Sequence, residues 1–134
     1  MLKELLFNTT QLPLLKKGLD AYALRHRAIS DNIANAETPG YRRKVVKFEE
    51  KLDQALADER LRRTHGSHLH RADELESINA ELARDEQPSD VSGVNNVDID
   101  REMTSLAENT TQYTLAAHLA KMHFEMLNQS IRGV

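Results

Sequence analysis

The 134 residues carry 21 acidic and 18 basic side chains, a net charge of −3, with 4% aromatics, no Trp and no Cys. This excludes a disulfide framework, a thiolate metal site and a cysteine nucleophile, and it offers nucleic acid no overall basic charge. The length suits one domain, whose core must come from Leu, Ile, Val, Ala and Met.

The charge is unevenly spread, with four basic and nine acidic side chains in residues 61–100. No apolar run approaches the roughly 20 residues that span a bilayer. Residues 1–11 begin "MLKELLFNTTQ", and Leu2, Leu5 and Leu6 suggest a short amphipathic turn. They lack the apolar stretch and small-residue cleavage site of a secretory signal. The expectation is a chain that stays in the cytosol or leaves it without a cleaved signal peptide.

From residue 12 the apolar residues repeat with alternating steps of three and four. Leu12, Leu15, Leu19, Tyr22, His26, Ile29, Ile33 and Ala36 form a seam in which His26 is the polar break. Such a heptad repeat predicts a helix that pairs with another. Pro13 is tolerated in its first turn. The helix then meets Asn32, Asn35 and the sequence Thr38-Pro39-Gly40-Tyr41. Pro39 biases Thr38 away from helical dihedrals, and Pro39-Gly40 suits a type II turn with Gly40 supplying the positive φ. "YRRKVVKF", from Tyr41, alternates well enough for a short strand or an extended arm.

The middle of the chain, residues 37–97, reads as this turn and arm, a short helix near residues 48–61, a weaker one near 72–83, and a loop through "DEQPSDVSGVNN". After it comes the stronger seam: Ile99, Met103, Leu106, Thr110, Tyr113, Ala117, Ala120, Phe124, Leu127 and Ile131. Asp98 or Asp100 is its expected N-cap and Gly133 its stop. The helix would be about 50 Å long. The fold expected is all-α. Residues 12–36 and 98–131 pair as a two-stranded coiled coil around a short, partly irregular middle. The second seam has a rival face, because Leu115, Leu119, Met122 and Met126 lie opposite it and no charge falls between Glu108 and Lys121. A helix apolar on two sides must be covered on two sides; a four-helix bundle would do so but needs two more good helices, which is more than the middle offers, so contact with another subunit is favoured.

The candidate chemical sites are weak. His65, His68 and His70 could offer three imidazoles to zinc, but Gly66 and Ser67 favour a polar turn and no carboxylate completes the set. Arg42, Arg43, Lys44 and Lys47 could meet phosphates, but Glu49 and Glu50 follow and no aromatic platform accompanies them, so a solvated or salt-bridged surface is favoured. Glu102 and Glu108 do not suggest an acid/base pair, because nothing places a pocket between them. No phosphate loop, nucleophile elbow or dinucleotide fingerprint occurs. No catalytic residue, cofactor, metal or small-molecule substrate is expected.

"SDNIANAETPGY" does, however, resemble the signature of the bacterial flagellar axial (rod and hook) protein family. Asn32, Ile33, Ala34, Asn35, Thr38, Pro39, Gly40 and Tyr41 match it in place. Within that family the short chain and the run at 93–133 are similar to the proximal rod subunits. Val94 departs from the acidic-Gly-Asn-Asn pattern expected there. The resemblance implies a non-enzymatic structural subunit whose N- and C-terminal helices pair. It also implies export unfolded through the flagellar type III apparatus, with an uncleaved signal in residues 1–11. Assembly would follow in the periplasm, with itself, other rod subunits and the membrane-ring adaptor protein, into the torque-transmitting rod of the basal body. The rival reading is a small helical adaptor or secretion chaperone that holds a partner helix in a groove. It accounts for the second apolar face but not for Thr38-Pro39-Gly40-Tyr41.

Overall fold

A computed structural model describes residues 12–54, 78–85 and 95–133. Four elements follow in chain order: α1 (Leu12–Ala34), β1 (Lys44–Lys47), β2 (Glu81–Arg84) and α2 (Ile99–Arg132). Residues 49–54 add a helical stretch after β1, in keeping with the short helix expected from residue 48. The rest of that expectation, the loop at 86–94 and His65, His68 and His70 lie outside the described residues.

Each boundary has a local cause. Asp98 is extended (φ −106°, ψ 115°), and its side chain accepts from the N–H groups of Asp100 and Arg101, capping α2. Asp100 and Glu102 sit in the first turn and Arg132 in the last, matching the helix dipole at both ends. Gly133 stops α2 in the left-handed region at φ 71°, its N–H donating to the Gln129 carbonyl. At the end of α1 the chain tightens. The Tyr41 N–H donates back to the Thr38 carbonyl at 3.2 Å, and Gly40 has φ 73°. These are the hydrogen bond and the positive φ of the type II turn expected for Pro39-Gly40.

The helices run antiparallel and in contact. Asn32 near the end of α1 meets Glu102 near the start of α2, and Tyr22, one stretch back, meets Asn109, one stretch on. At 34 residues against 23, α2 outruns α1 by about 16 Å. The fold is mostly helical, as expected, and its two long helices are in contact, but it also holds a small sheet that the all-α expectation left out. β1 and β2 form a two-stranded antiparallel sheet with Lys44 opposite Arg84 and Lys47 opposite Glu81. "ELAR", at the end of the segment expected to be a weak helix, is β2. Pairing with the β-branched "KVVK" overrides the helical preference of Glu, Leu, Ala and Arg.

The arm folds back over α1. Ala21, Phe48 and Ile78 form a small core, flanked by Val46, Leu52 and Ala80. The side chains of Ala21 and Ala28 are small enough for the arm to come close, and both are buried. On α1 the expected seam is largely inward: Leu12 and Ile29 are buried, Leu15, Leu19, Tyr22 and Ile33 are half-buried, and His26 is exposed.

On α2 the expected seam needs correction. Ile99, Met103, Thr110, Tyr113, Phe124 and Ile131 are exposed in the single chain, and Leu106, Ala117, Ala120 and Leu127 are half-buried. The buried line is Glu102, Asn109 and Ala116, spaced by seven. It lies one residue before Met103, Thr110 and Ala117. The physical reason is that α1 presents polar groups at this level, and only polar partners can satisfy them once buried.

Candidate functional site

The helix pair meets the arm at a buried polar hub. Its centre is Asn32, whose side chain has no exposure. The Asn32 Oδ1 accepts from the Lys44 backbone N–H at 2.8 Å and from the Tyr41 hydroxyl at 3.2 Å. Its Nδ2 donates to the Lys44 carbonyl at 2.9 Å and to Glu102 Oε2 at 3.0 Å. All four bonding positions of the amide are used. Toward Lys44 the side chain acts as a strand would, taking both the N–H and the C=O of one residue. The free edge of β1 is thereby closed at its first position.

Glu102 is equally buried, and its other oxygen accepts from Arg43 Nε at 2.6 Å. Arg43 Nη1 reaches Asp85 Oδ2 at 3.1 Å. The Arg43 N–H donates to Asn96 Oδ1 at 2.8 Å, and its carbonyl accepts from the Asp85 N–H at 2.8 Å. Burial alone would lower the Arg43 pKa; the hydrogen bonds and charges of Glu102 and Asp85 outweigh it and raise the pKa instead. Burial pushes the Tyr41 hydroxyl up, against the pull of nearby Lys44. An acid and a base buried together cost desolvation on both sides, and losing either one costs about 3–5 kcal/mol.

Asn95 closes the lower side. Its Nδ2 faces three carbonyls past the end of α1, those of Asn35, Ala36 and Thr38, while its Oδ1 accepts from the Val97 N–H. A helix end leaves carbonyls unpaired, and one asparagine from across the chain serves them. Asn35 turns inward on its own helix, donating to the Asp31 carbonyl at 2.8 Å and accepting from the Thr38 hydroxyl at 3.3 Å.

A second set of contacts runs up α1 at Lys17, Ala21, Arg25, Ala28 and Asn32, a stripe with steps of four, four, three and four. Lys17 Nζ donates to the Ile78 carbonyl at 2.8 Å. Arg25 grips both oxygens of Glu49, with Nη1 at 2.7 Å from Oε1, and lies 5.7 Å from the Tyr22 ring centre. Burial would raise the Glu49 pKa, but Arg25 reverses that and holds it below the ordinary carboxylate value.

Of the motif expected from sequence, Asn32, Asn35, Tyr41 and the Thr38–Gly40 turn are brought together here. Ile33 is half-buried, while Ala34 and Pro39 are exposed. The basic run resolves into pairs, Arg43 with Glu102 and Asp85, and Lys44 with Asp31 at 2.7 Å. Glu102, Asn109, Asn95 and Asn96 were not singled out by apolar periodicity. The signal for the first two was a polar heptad, 102 and 109, leading to Ala116. Asn109 donates to the Tyr22 carbonyl at 3.0 Å, and its Oδ1 is buried without a partner.

The hub joins the helix pair to the arm. The side chains of Asn32, Arg43, Asn95 and Glu102 are engaged within the chain, and the neighbouring cleft of about 260 Å³ between α1, β1 and α2 is lined by Arg25, Arg43 and Lys44, each already paired. Among the described residues no three His, Cys, Asp or Glu side chains could hold a metal ion, and no described helix is long and apolar enough to cross a membrane.

The other notable surface is the outer side of α2. Leu115, Leu119, Met122 and Met126 are all exposed, from 39% to 59%. Together with the uncovered seam residues they give α2 apolar side chains on more than one face.

Comparison with known proteins gives this architecture a family. A family profile described as "Flagella basal body rod protein" matches residues 17–42, the α1 stripe through the turn. The flagellar basal body rod protein FlgB of Borrelia hermsii is 35% identical over 126 residues, covering 89% of this chain and 93% of that protein. FlgB of Escherichia coli (strain K12) is 34% identical over 128 residues, 89% and 86% of the two chains. FlgB of Bacillus subtilis (strain 168) is 30% identical over 119 residues, 89% and 91%. The chain spans nearly the full length of these relatives, and it belongs to the flagellar basal body rod protein FlgB family.

Proposed function

We propose that this chain is a structural subunit of the flagellar rod, assembling with other copies and other axial proteins into the shaft of the basal body. The observation that carries the reading is the inverted distribution of polarity. The helix pair and the hub bury Asn32, Asn95, Glu102 and Asn109, while ten large hydrophobic side chains among the described residues are exposed, nine of them on α2. Exposed apolar area of that extent marks an association surface. Leu115, Leu119, Met122 and Met126 are the residues that face neighbouring subunits, and Met103, Tyr113, Phe124 and Ile131 extend that surface. In the assembled state the two helices supercoil around one another, and neighbours cover what α1 leaves open.

The finer reading follows the family. The chain passes through the flagellar type III export apparatus without a cleaved signal. It assembles in the periplasm against the membrane-ring adaptor protein and acts without catalysis or cofactor. The domains divide as residues 1–11 for export, 12–36 with 98–131 for the helix pair, and 37–97 for the turn and arm.

The test is Leu119→Asp in place of the wild-type chain. Leu119 is exposed, so the fold should keep its stability to within about 0.5 kcal/mol. Export should continue, rods should fail to incorporate the subunit, and swimming should stop. Normal swimming would refute the role given to this face. Basal bodies with membrane rings but no rod, seen by electron microscopy in cells lacking the protein, would support the proximal position. Complete rods in such cells would remove it.

A further inference from the structure

The two edges of the small sheet are treated differently. In an antiparallel ladder, residues alternately point their backbone groups toward the partner and away from it. The Asp85 N–H bonds the Arg43 carbonyl, and Lys44 is opposite Arg84. The inward pairs are therefore Arg43 with Asp85, Val45 with Ala83 and Lys47 with Glu81. Lys44 and Val46 point away from β2, and both meet α1. Asn32 takes the N–H and C=O of Lys44, and Arg25 reaches the Val46 carbonyl at 3.5 Å. By the same alternation, Leu82 and Arg84 turn their backbone groups away from β1. Nothing among the described residues meets them. The Leu82 side chain is 47% exposed. An open edge of this kind is a template for another strand, and a two-stranded sheet gains most from a third.

We infer that β2 pairs antiparallel with β2 of a second copy, centred on Leu82, closing a four-stranded sheet across a two-fold axis. The register follows from geometry and charge. Only outward-facing residues can exchange bonds, and within β2 these are Leu82 and Arg84, so the choices are Leu82 opposite Leu82, Leu82 opposite Arg84, or Arg84 opposite Arg84. The second choice sets Glu81 against Asp85 and the third sets two arginines together, and like charges directly opposed are unfavourable. The first sets leucine on leucine, Glu81 opposite Ala83 and Arg84 opposite Ala80. Such a two-fold contact is closed, so it makes a dimer of the unassembled chain and is separate from the association through α2.

The experiment is sedimentation equilibrium of the full chain across a range of concentrations, in the Leu119→Asp background to silence the helix face. A concentration-dependent dimer is expected. Leu82→Pro removes one outward N–H and no internal bond, and should weaken the dimer at least tenfold while leaving thermal unfolding unchanged. Ala83→Pro removes an inward bond and should destabilise the chain itself. In the unsubstituted chain, amide exchange at Leu82 should slow as concentration rises. A chain that stays monomeric up to millimolar concentration, or a Leu82→Pro dimer as tight as its parent, overturns the inference. Neither result bears on rod incorporation, which swimming and microscopy read independently.

Discussion

The foot of the helix pair and the far half of α2 are opposites. At the foot, polar groups are inside and each has been given a partner drawn from a different part of the chain: Asn32 from α1, Arg43 before β1, Asp85 after β2, Asn95 and Asn96 before α2, Glu102 from α2. Further along α2, the exposed side is made of Leu, Met and Phe with nothing from this chain over it among the described residues. The foot is complete in a single copy, and the far half is not. The difference teaches that burying apolar area does little to fix the register of this molecule. A buried polar network tolerates one alignment, because any slip orphans its groups, while the exposed apolar surface of α2 imposes no such alignment.

The contrast predicts where single substitutions hurt. Glu102→Leu should have the largest effect, leaving Arg43 buried without its main partner at a cost of about 3–5 kcal/mol in urea unfolding. Arg43→Met added to it should recover most of that loss, since an apolar pair of similar size is tolerated in place of an ion pair. A double variant no better than the single one would mean the hub does not act as a pair. Asn32→Ala comes next. It strips the N–H and C=O of Lys44 of their partner, at about 1–3 kcal/mol for each orphaned group, and should speed amide exchange at Lys44 well before it does so in mid-α2.

Glu49 has a smaller and pH-dependent effect. Its pKa lies below the ordinary 4.5 in the folded chain, so the unfolded chain binds the proton more readily. Its contribution is therefore present above about pH 4.5 and is lost as pH falls through the lowered value. With its side chain 47% exposed, that contribution is held to about 1 kcal/mol or less. Glu49→Gln should flatten that part of the stability profile, measured by unfolding between about pH 6 and pH 3. Smallest of all is Leu119→Asp, which should leave the unfolding midpoint of the single chain in place. A marked loss there would place Leu119 inside the fold and blur the division between the two regions.

What the sequence made legible follows the same line. The three-four repeat of Leu, Ile and Met gave both helices, and Asp98 and Gly133 marked the ends of α2. Pro39-Gly40 foretold its turn because only a few dihedrals fit it. The inward line of α2 was hidden, since a search for apolar periodicity gives no weight to Glu102 and Asn109. β2 was hidden for another reason: Glu, Leu, Ala and Arg favour helices locally, and their partner strand lies more than thirty residues back. Asn95 looked like part of a loop. Its task is set by three carbonyls of another segment, which no local pattern announces.

The hub also orders events in time. Asn32 and Glu102 are 70 residues apart in sequence, Arg43 and Glu102 are 59 apart, and Asn95 and Asn35 are 60 apart. Contacts that close such long loops form late, since the entropy of closure comes before any reward. A chain delivered N-terminus first, whether from a ribosome or from a narrow conduit, offers Asn32 and Arg43 no partners until the start of α2 has emerged. Contacts within the leading part, such as Arg25 with Glu49 and β1 with β2, can form earlier, but docking of the arm onto the helix pair waits on the arrival of Glu102.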